Sequence, residues 1–210
     1  MTRTPGSGCP SAYRPAGGPN VVRVTFALFG RRCLLKLGLG AVGAGLAAPS
    51  LALAQATNGA DMRSVALDNL HTGESLQAVY WEQGDYIPDV LDAVNEHLRD
   101  YRTGDIHPID PRLLDLLDGV TALTGVSAPF QVISGYRSPA TNAMLRERSE
   151  EVAKKSFHMS GMAIDIRLPG VELGHLHAAA LGLGRGGVGY YPESNFVHMD
   201  VGPVRAWRGA

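Results

Sequence analysis

The stretch Ser156-Phe-His-Met-Ser-Gly-Met-Ala-Ile-Asp165 decides how this chain is read. It sets an imidazole, His158, and a carboxylate, Asp165, on either side of Gly161, whose missing side chain lets the backbone turn. The apolar alternation that follows predicts a strand over residues 162–168. A loop histidine and a strand aspartate are two of the three donors that an open metal site needs. Asn195-Phe-Val-His-Met-Asp200 offers the third, because a strand's period of two sends His198 and Asp200 to one face and Val197, Met199 and Val201 to the other. Two neutral imidazoles and one carboxylate suit Zn2+ and leave a fourth tetrahedral position open, the form of a catalytic site, since structural zinc sites are closed.

The N-terminal quarter reads differently. Phe29-Gly-Arg-Arg-Cys-Leu-Leu-Lys36 places paired arginines before a weakly apolar run, Leu37 to Leu53, rich in Gly and Ala, and Ala52-Leu-Ala54 has the form of a cleavage site. Residues 22–54 are therefore expected to be a twin-arginine export signal, leaving Gln55 as the new N-terminus. A transmembrane anchor is the alternative, but the run is glycine-heavy for a span. Residues 1–21 show no periodicity and read as an extended leader or a misplaced start. The expected division is a leader, 1–54, and one catalytic domain, 55–210, delivered to the periplasm, monomeric and with no lasting membrane anchor.

Removing the leader changes the charge. All 20 acidic residues lie beyond residue 54, whereas six of the 19 basic ones (Arg3, Arg14, Arg23, Arg31, Arg32 and Lys36) lie before it, so the mature part carries a net charge of −7. A domain this acidic has no basic stripe for gripping phosphates, which excludes nucleic acid as the expected partner. Cys9 and Cys33 both precede the cut, so disulfides and cysteine chemistry are excluded too, while all seven histidines remain.

Along the chain, Arg63–Leu70 and Leu76–Trp81 predict two strands joined through His71-Thr-Gly-Glu74 as a hairpin, with His71 and Glu74 as polar turn residues. Ile87, Val90, Leu91, Val94, Leu98 and Tyr101 make one apolar stripe of a helix over 87–101, with His97 at its rim. A second helix is expected from the cap Asp110 and Pro111 to the terminal Gly125. Phe130–Ser134 predicts a strand that ends in Gly135-Tyr136-Arg137, and Ser138 caps a short helix from Pro139 to about Arg148. Arg137 thus sits at a strand-to-helix turn, where side chains face clefts. Residues 172–183 predict a small-residue helix whose His175 and His177 are two apart and share no face, so neither is assigned to metal. The glycine-rich run 182–189 is not read as a phosphate cradle, since no helix start follows it.

Three ordered motifs, Ser134-Gly-Tyr-Arg-Ser138, Ser156-x-His158-x-x-Gly161-x-Ala163-x-Asp165 and Phe196-Val-His198-x-Asp200, resemble the zinc peptidases of the D-Ala-D-Ala carboxypeptidase and murein endopeptidase superfamily. Within it the chain is similar to the murein endopeptidase K (YcbK-like) branch, through the His71-Thr-Gly-Glu74 turn, Leu98-Arg-Asp-Tyr-Arg102 and Gly186-Gly-Val-Gly-Tyr-Tyr191. The likeness spans roughly residues 62–208.

The resemblance implies an α+β fold of the Hedgehog/D-Ala-D-Ala-peptidase kind, a small, mostly antiparallel sheet carrying the metal site with helices on its other face. It implies that His158, Asp165 and His198 bind one Zn2+. Arg137 would hold the substrate carboxylate or a developing oxyanion, a task that suits a bidentate cationic fork. Ser156 and Tyr136 would lie near substrate. Superfamily members often place an acid three residues before the last histidine, and this chain has Asn195 there. That leaves Asp200 and Glu193 as alternatives for orienting water, with Asp200 equally suited to accept a histidine N–H. The implied activity is hydrolysis of peptide cross-links in peptidoglycan. A carboxypeptidase trimming terminal D-amino acids and a non-catalytic peptidoglycan-binding module are the alternatives.

Overall fold

The computed structural model describes residues 21–23, 62–149 and 152–209. Apart from residues 21–23, the expected signal and its cleavage site lie outside the described residues, as do both cysteines. Val21–Arg23 (β1) runs parallel to the start of Ser75–Glu82 (β3), which pairs antiparallel with Met62–Asn69 (β2). The predicted hairpin turn closes that pair, with Gly73 at φ 71°. Asp85–Tyr86 (β4) folds back on the end of β3.

Pro88–His97 (α1) and Arg112–Thr124 (α2) follow, then Phe130–Ser134 (β5) and Pro139–Arg146 (α3), whose cap Ser138 accepts a hydrogen bond from Thr141 N at 3.2 Å. A 3-10 turn, Phe157–Ser160, leads through Gly161 into Ala163–Arg167 (β6). Leu173–Gly182 (α4), Gly187–Tyr191 (β7), Phe196–Asp200 (β8) and Arg205–Arg208 (β9) complete the described chain.

The strands form one mixed sheet in the order β1-β3-β2-β5-β6-β8-β7-β9, with β4 attached to β3. Nine strands make it broader than the small sheet expected, because β2 pairs parallel with β5 (Leu67 opposite Phe130) and so joins the N-terminal hairpin to the strands around Asp165. The class is α+β, with α1 against β3, α2 against β2 and β8, and α4 against β7 and β8. Period-two alternation assigns the faces. Ile164 and Ile166 of β6 and Val197 and Met199 of β8 join Leu113, Leu117 and Val120 of α2 and Leu176 and Ala180 of α4 in the core. Each such side chain contributes about 1.5–3 kcal/mol by leaving water. Asp165, His198 and Asp200 take the other face of the same two strands.

Two expectations about α1 are corrected. The helix stops at His97, four residues before Tyr101, because the chain's later bonds are made elsewhere: Leu98 O accepts Tyr136 N at 2.8 Å, and Arg102 N turns to the Asp100 carboxylate at 3.0 Å. His97 is not at a rim. It is buried, 6% exposed, and its Nε2 has no hydrogen-bond partner among the described residues.

Candidate metal centre

Register on the β6–β8 pair sets the centre. Asp165 and His198 are direct cross-strand partners, so their side chains rise together from one face. His158 reaches them from the 3-10 turn, which is held by backbone bonds. Arg137 N donates to His158 O at 3.2 Å, and Gly161, at φ 64°, packs so tightly on Pro108 that an added Cβ would lie 2.1 Å from its carbonyl oxygen. Gly161 is therefore needed both for the left-handed turn and for the close approach.

Three atoms converge. His158 Nε2 lies 3.2 Å from His198 Nδ1 and 3.3 Å from Asp165 Oδ1, and His198 Nδ1 lies 2.8 Å from Asp165 Oδ1. The far side of each ring is occupied: His158 Nδ1 donates to Gly135 O at 2.8 Å, and His198 Nε2 donates to Asp200 Oδ2 at 3.1 Å. Those bonds turn His158 Nε2 and His198 Nδ1 inward, toward Asp165. All three residues are buried.

The electrostatics point the same way. Burial pushes the His158 pKa down and keeps that ring neutral. Burial works to lower His198 too, but its bonds to Asp165 and Asp200 win and raise it. Burial would raise Asp165, yet His158 and His198 hold its carboxyl well below the usual range. Two imidazole nitrogens and one ionised carboxylate oxygen thus meet at one point, a set of donors that fits Zn2+.

The centre opens into a cavity of about 520 Å3, lined on one side by Arg137, Ser156 and Lys155 and on the other by Tyr191, Phe196, Arg205 and Trp207. Arg137 lies 3.6 Å from Asp165 Oδ2 by its Nη2 and donates to Ser134 Oγ at 3.3 Å. Burial lowers its pKa from the usual arginine value, with Asp165 opposing. Its Nε has no partner among the described residues, so the fork keeps hydrogen-bonding capacity. Ser156 lines the cavity and accepts His158 N at 3.4 Å.

The other expected residues fall elsewhere. Tyr136 is not among the residues lining this cavity; its ring stacks on His107, with centroids 4.7 Å apart, so the expected place near substrate is corrected. Asp200 is 0% exposed and takes five donors: Gly187 N, Gly202 N and Arg205 Nη1 on Oδ1, Arg205 Nη2 and His198 Nε2 on Oδ2. Five donors exhaust a carboxylate's roughly four lone-pair sites, so Asp200 is corrected from a water-orienting base to the acceptor that holds His198. Glu193 is exposed on the turn before β8, next to the cavity-lining Ser194.

A family model described as Peptidoglycan L,D-endopeptidase MepK matches residues 57–207. The chain belongs to this family. It is a peptidase family, and the chain is 48% identical over 177 residues to the Peptidoglycan L,D-endopeptidase MepK of Escherichia coli strain K12, covering 84% of this chain and 96% of that protein. The Shigella flexneri protein of the same description matches to the same extent. A Haemophilus influenzae protein described as a probable peptidoglycan L,D-endopeptidase MepK is 43% identical over 148 residues, 70% of this chain and 80% of that one. No solved structure matches.

In this member of the MepK family, sequence reading missed residues that hold the centre in place. Asp100, 1% exposed, accepts Ser138 N at 2.9 Å and so fixes the turn that carries Arg137. Arg205 and Trp207 of β9 reach Asp200 and His198 across β7. The signals available for them were the Leu98–Arg102 motif, which contains Asp100, and the glycine alternation Gly187-Val-Gly189, which makes room for the Arg205 and Trp207 side chains.

Proposed function

We propose that this chain is an exported, zinc-dependent endopeptidase that cleaves L,D peptide cross-links of peptidoglycan. The observation that carries this reading is the convergence of His158 Nε2, Asp165 Oδ1 and His198 Nδ1, 2.8–3.3 Å apart, at the floor of a cavity walled by Arg137. Family membership and relatives described as L,D-endopeptidases support it. His158, Asp165 and His198 hold the ion. When bound, Zn2+ supplies a Lewis acid able to activate water and polarise a carbonyl.

The chain's own residues do the rest. Asp200 keeps the proton of His198 on Nε2, and Gly135 O keeps that of His158 on Nδ1, so both rings present lone pairs inward. Arg137 binds the substrate carboxylate or the oxyanion, and its buried surroundings strengthen that contact. Ser156 borders the substrate. Glu193 is the carboxylate beside the cavity that is left to orient water, since Asp200 is saturated.

We assign the fold to the Hedgehog/D-Ala-D-Ala-peptidase-like group, a leader to residues 1–54 and the mature domain to residues 55–210. The family match begins at residue 57, which accords with that cut. Cleavage there removes β1 and leaves Ser75–Gln77 as a sheet edge. The leader's paired arginines favour the twin-arginine route to the periplasm, and among the described residues no helix is long and apolar enough to cross a membrane.

Mature protein incubated with defined cross-linked muropeptides, with added Zn2+ or with chelator, tests this by the masses of the products. Two peptide-bearing fragments are expected with zinc and intact substrate with chelator. Cleavage that survives both chelation and His198→Ala would end the metal reading. Loss of a single terminal residue would mark a carboxypeptidase, and binding without cleavage a peptidoglycan-binding module.

A further inference from the structure

The residues around Asp200 form a second layer beside the metal centre, and two of them, Arg205 and Trp207, also line its cavity. Register across β6, β8, β7 and β9 lays out two cross-strand rows on the polar face: Asp165, His198, Gly189, Trp207 and, beside it, Ala163, Asp200, Gly187, Arg205. In each row β7 contributes a glycine, and each glycine is filled from β9. A Cβ on Gly187 would lie 2.4 Å from Arg205 Nη1, and one on Gly189 would lie 2.6 Å from the Trp207 ring. The missing side chains of β7 let two long β9 side chains lie over it and reach β8.

Arg205 makes a two-pronged contact with Asp200, Nη2 to Oδ2 at 2.6 Å and Nη1 to Oδ1 at 3.0 Å, and Nη1 also donates to Pro203 O at 3.0 Å. Its guanidinium carbon lies 5.1 Å from the Phe157 ring and 5.0 Å from the Trp207 ring. Phe157 belongs to the turn that carries His158, and Trp207 leans on the His198 ring with centroids 5.2 Å apart. One side chain is therefore tied to the surroundings of both histidines. A planar fork held bidentately between two aromatic rings has a defined orientation that an ammonium on a flexible stem does not.

We propose that Arg205 is a positioning residue for the metal centre. It fixes the Asp200 carboxylate, which fixes the His198 ring with its Nδ1 turned toward His158 and Asp165. This role rests on the zinc reading above. It assigns to the short edge strand β9 a purpose that its exposed, charged sequence does not suggest.

The test measures Zn2+ affinity by competition with a chromogenic chelator in wild type, Arg205→Ala, Arg205→Lys and Asp200→Asn, with circular dichroism confirming the fold of each. Loss of a supporting group behind a metal-ligating histidine typically weakens metal binding about 10- to 100-fold. Arg205→Ala is expected to fall in that range and Arg205→Lys to recover only part of the loss, with kcat reduced at saturating zinc. The Arg205→Ala/Asp200→Asn double variant is expected to bind no more weakly than Asp200→Asn alone, because both act through one bond to His198. If Arg205→Ala does not fold, Arg205→Lys and the Asp200→Asn comparison made on the lysine background carry the same test. Affinity within twofold of wild type in the Arg205 variants, fully additive losses, or a rise in KM alone would overturn the proposal. A wild type that binds no Zn2+ would instead overturn the metal reading itself.

Discussion

Two carboxylates of this molecule are about equally hidden and differently surrounded. Asp115, on α2, is 11% exposed at its side chain and meets only donors: Tyr80 OH at 3.1 Å, Tyr86 OH at 2.6 Å and Arg63 Nη1 at 2.7 Å. Asp165, 7% exposed at its side chain, also has an arginine nearby, Arg137 Nη2 at 3.6 Å, but its other oxygen meets two imidazole nitrogens whose opposite ring atoms are already committed to Gly135 O and Asp200. The first carboxylate is satisfied by the protein itself and ties α2 to the β2–β3–β4 hairpin. The second has two ring nitrogens turned in on one of its oxygens, so that three donor atoms meet at one point. Burial alone does not mark a functional acid; the lone pairs that its neighbours can turn to the same point do.

The sharpest way to break this contrast is to remove one group from each cluster. His198→Ala is expected to abolish stable zinc binding and slow cleavage of cross-linked muropeptides about 10^3-fold, the several kcal/mol that a bound ion contributes to a transition state. Asp115→Ala should do the reverse, costing about 3 kcal/mol in urea unfolding by stranding two tyrosine hydroxyls and an arginine, with zinc affinity within twofold of wild type. Finding that Asp115→Ala weakens zinc binding as much as His198→Ala does would erase the distinction.

A smaller effect separates the layer behind the centre from the core face. Gly189→Ala drives a methyl into the Trp207 ring and should cost about 1–3 kcal/mol. Because Trp207 is one of two tryptophans, with Trp81 the other, its displacement should also appear in tryptophan fluorescence. Unchanged emission and stability would mean that β9 does not lean on β7 as described. Smaller still is the loss in Tyr86→Phe, about 1 kcal/mol, for one hydrogen bond to Asp115. The Tyr86 hydroxyl itself is pushed up to about 12, by burial first and then by Asp115, so it stays a donor throughout the working range.

His97 supplies the mildest test, because its buried Nε2 has no hydrogen-bond partner among the described residues. Burial lowers its pKa below the ordinary value of 6.5, so the unfolded chain binds the extra proton first as pH falls. Its neutral form is fully compatible with the fold above about pH 6.5, and stability should decline below that, by at most about 1.4 kcal/mol per pH unit until the folded-state value is reached. Metal-free His97→Gln should show a shallower decline than metal-free wild type. Equal slopes would mean that His97 titrates as freely in the folded chain as in the unfolded one.

What was legible in the sequence was whatever local pattern decides. The β2–β3 hairpin, β5, the Ser138 cap and the alternation of β6 and β8 follow from period and turn residues within a few positions, and the convergence of His158, Asp165 and His198 came with them because each sits in such a motif. The end of α1 was not legible, since Leu98 O and Arg102 N are taken by Tyr136 and Asp100, partners that only the folded chain brings near. The burial of His97 was hidden for the same reason. Asp200 looked available because its strand face matches that of His198. Four of its five donors come from Gly187, Gly202 and Arg205, two of which β7 and β9 carry in, and nothing in Phe196–Asp200 announces them.

The most direct measurement is X-ray absorption at the zinc edge on the purified chain loaded with one equivalent of Zn2+. A shell of light atoms that includes two imidazoles and one carboxylate oxygen is expected, with the imidazole signal reduced or the metal lost in His158→Ala and His198→Ala. A wild-type spectrum without imidazole, or one that neither substitution alters, would contradict it.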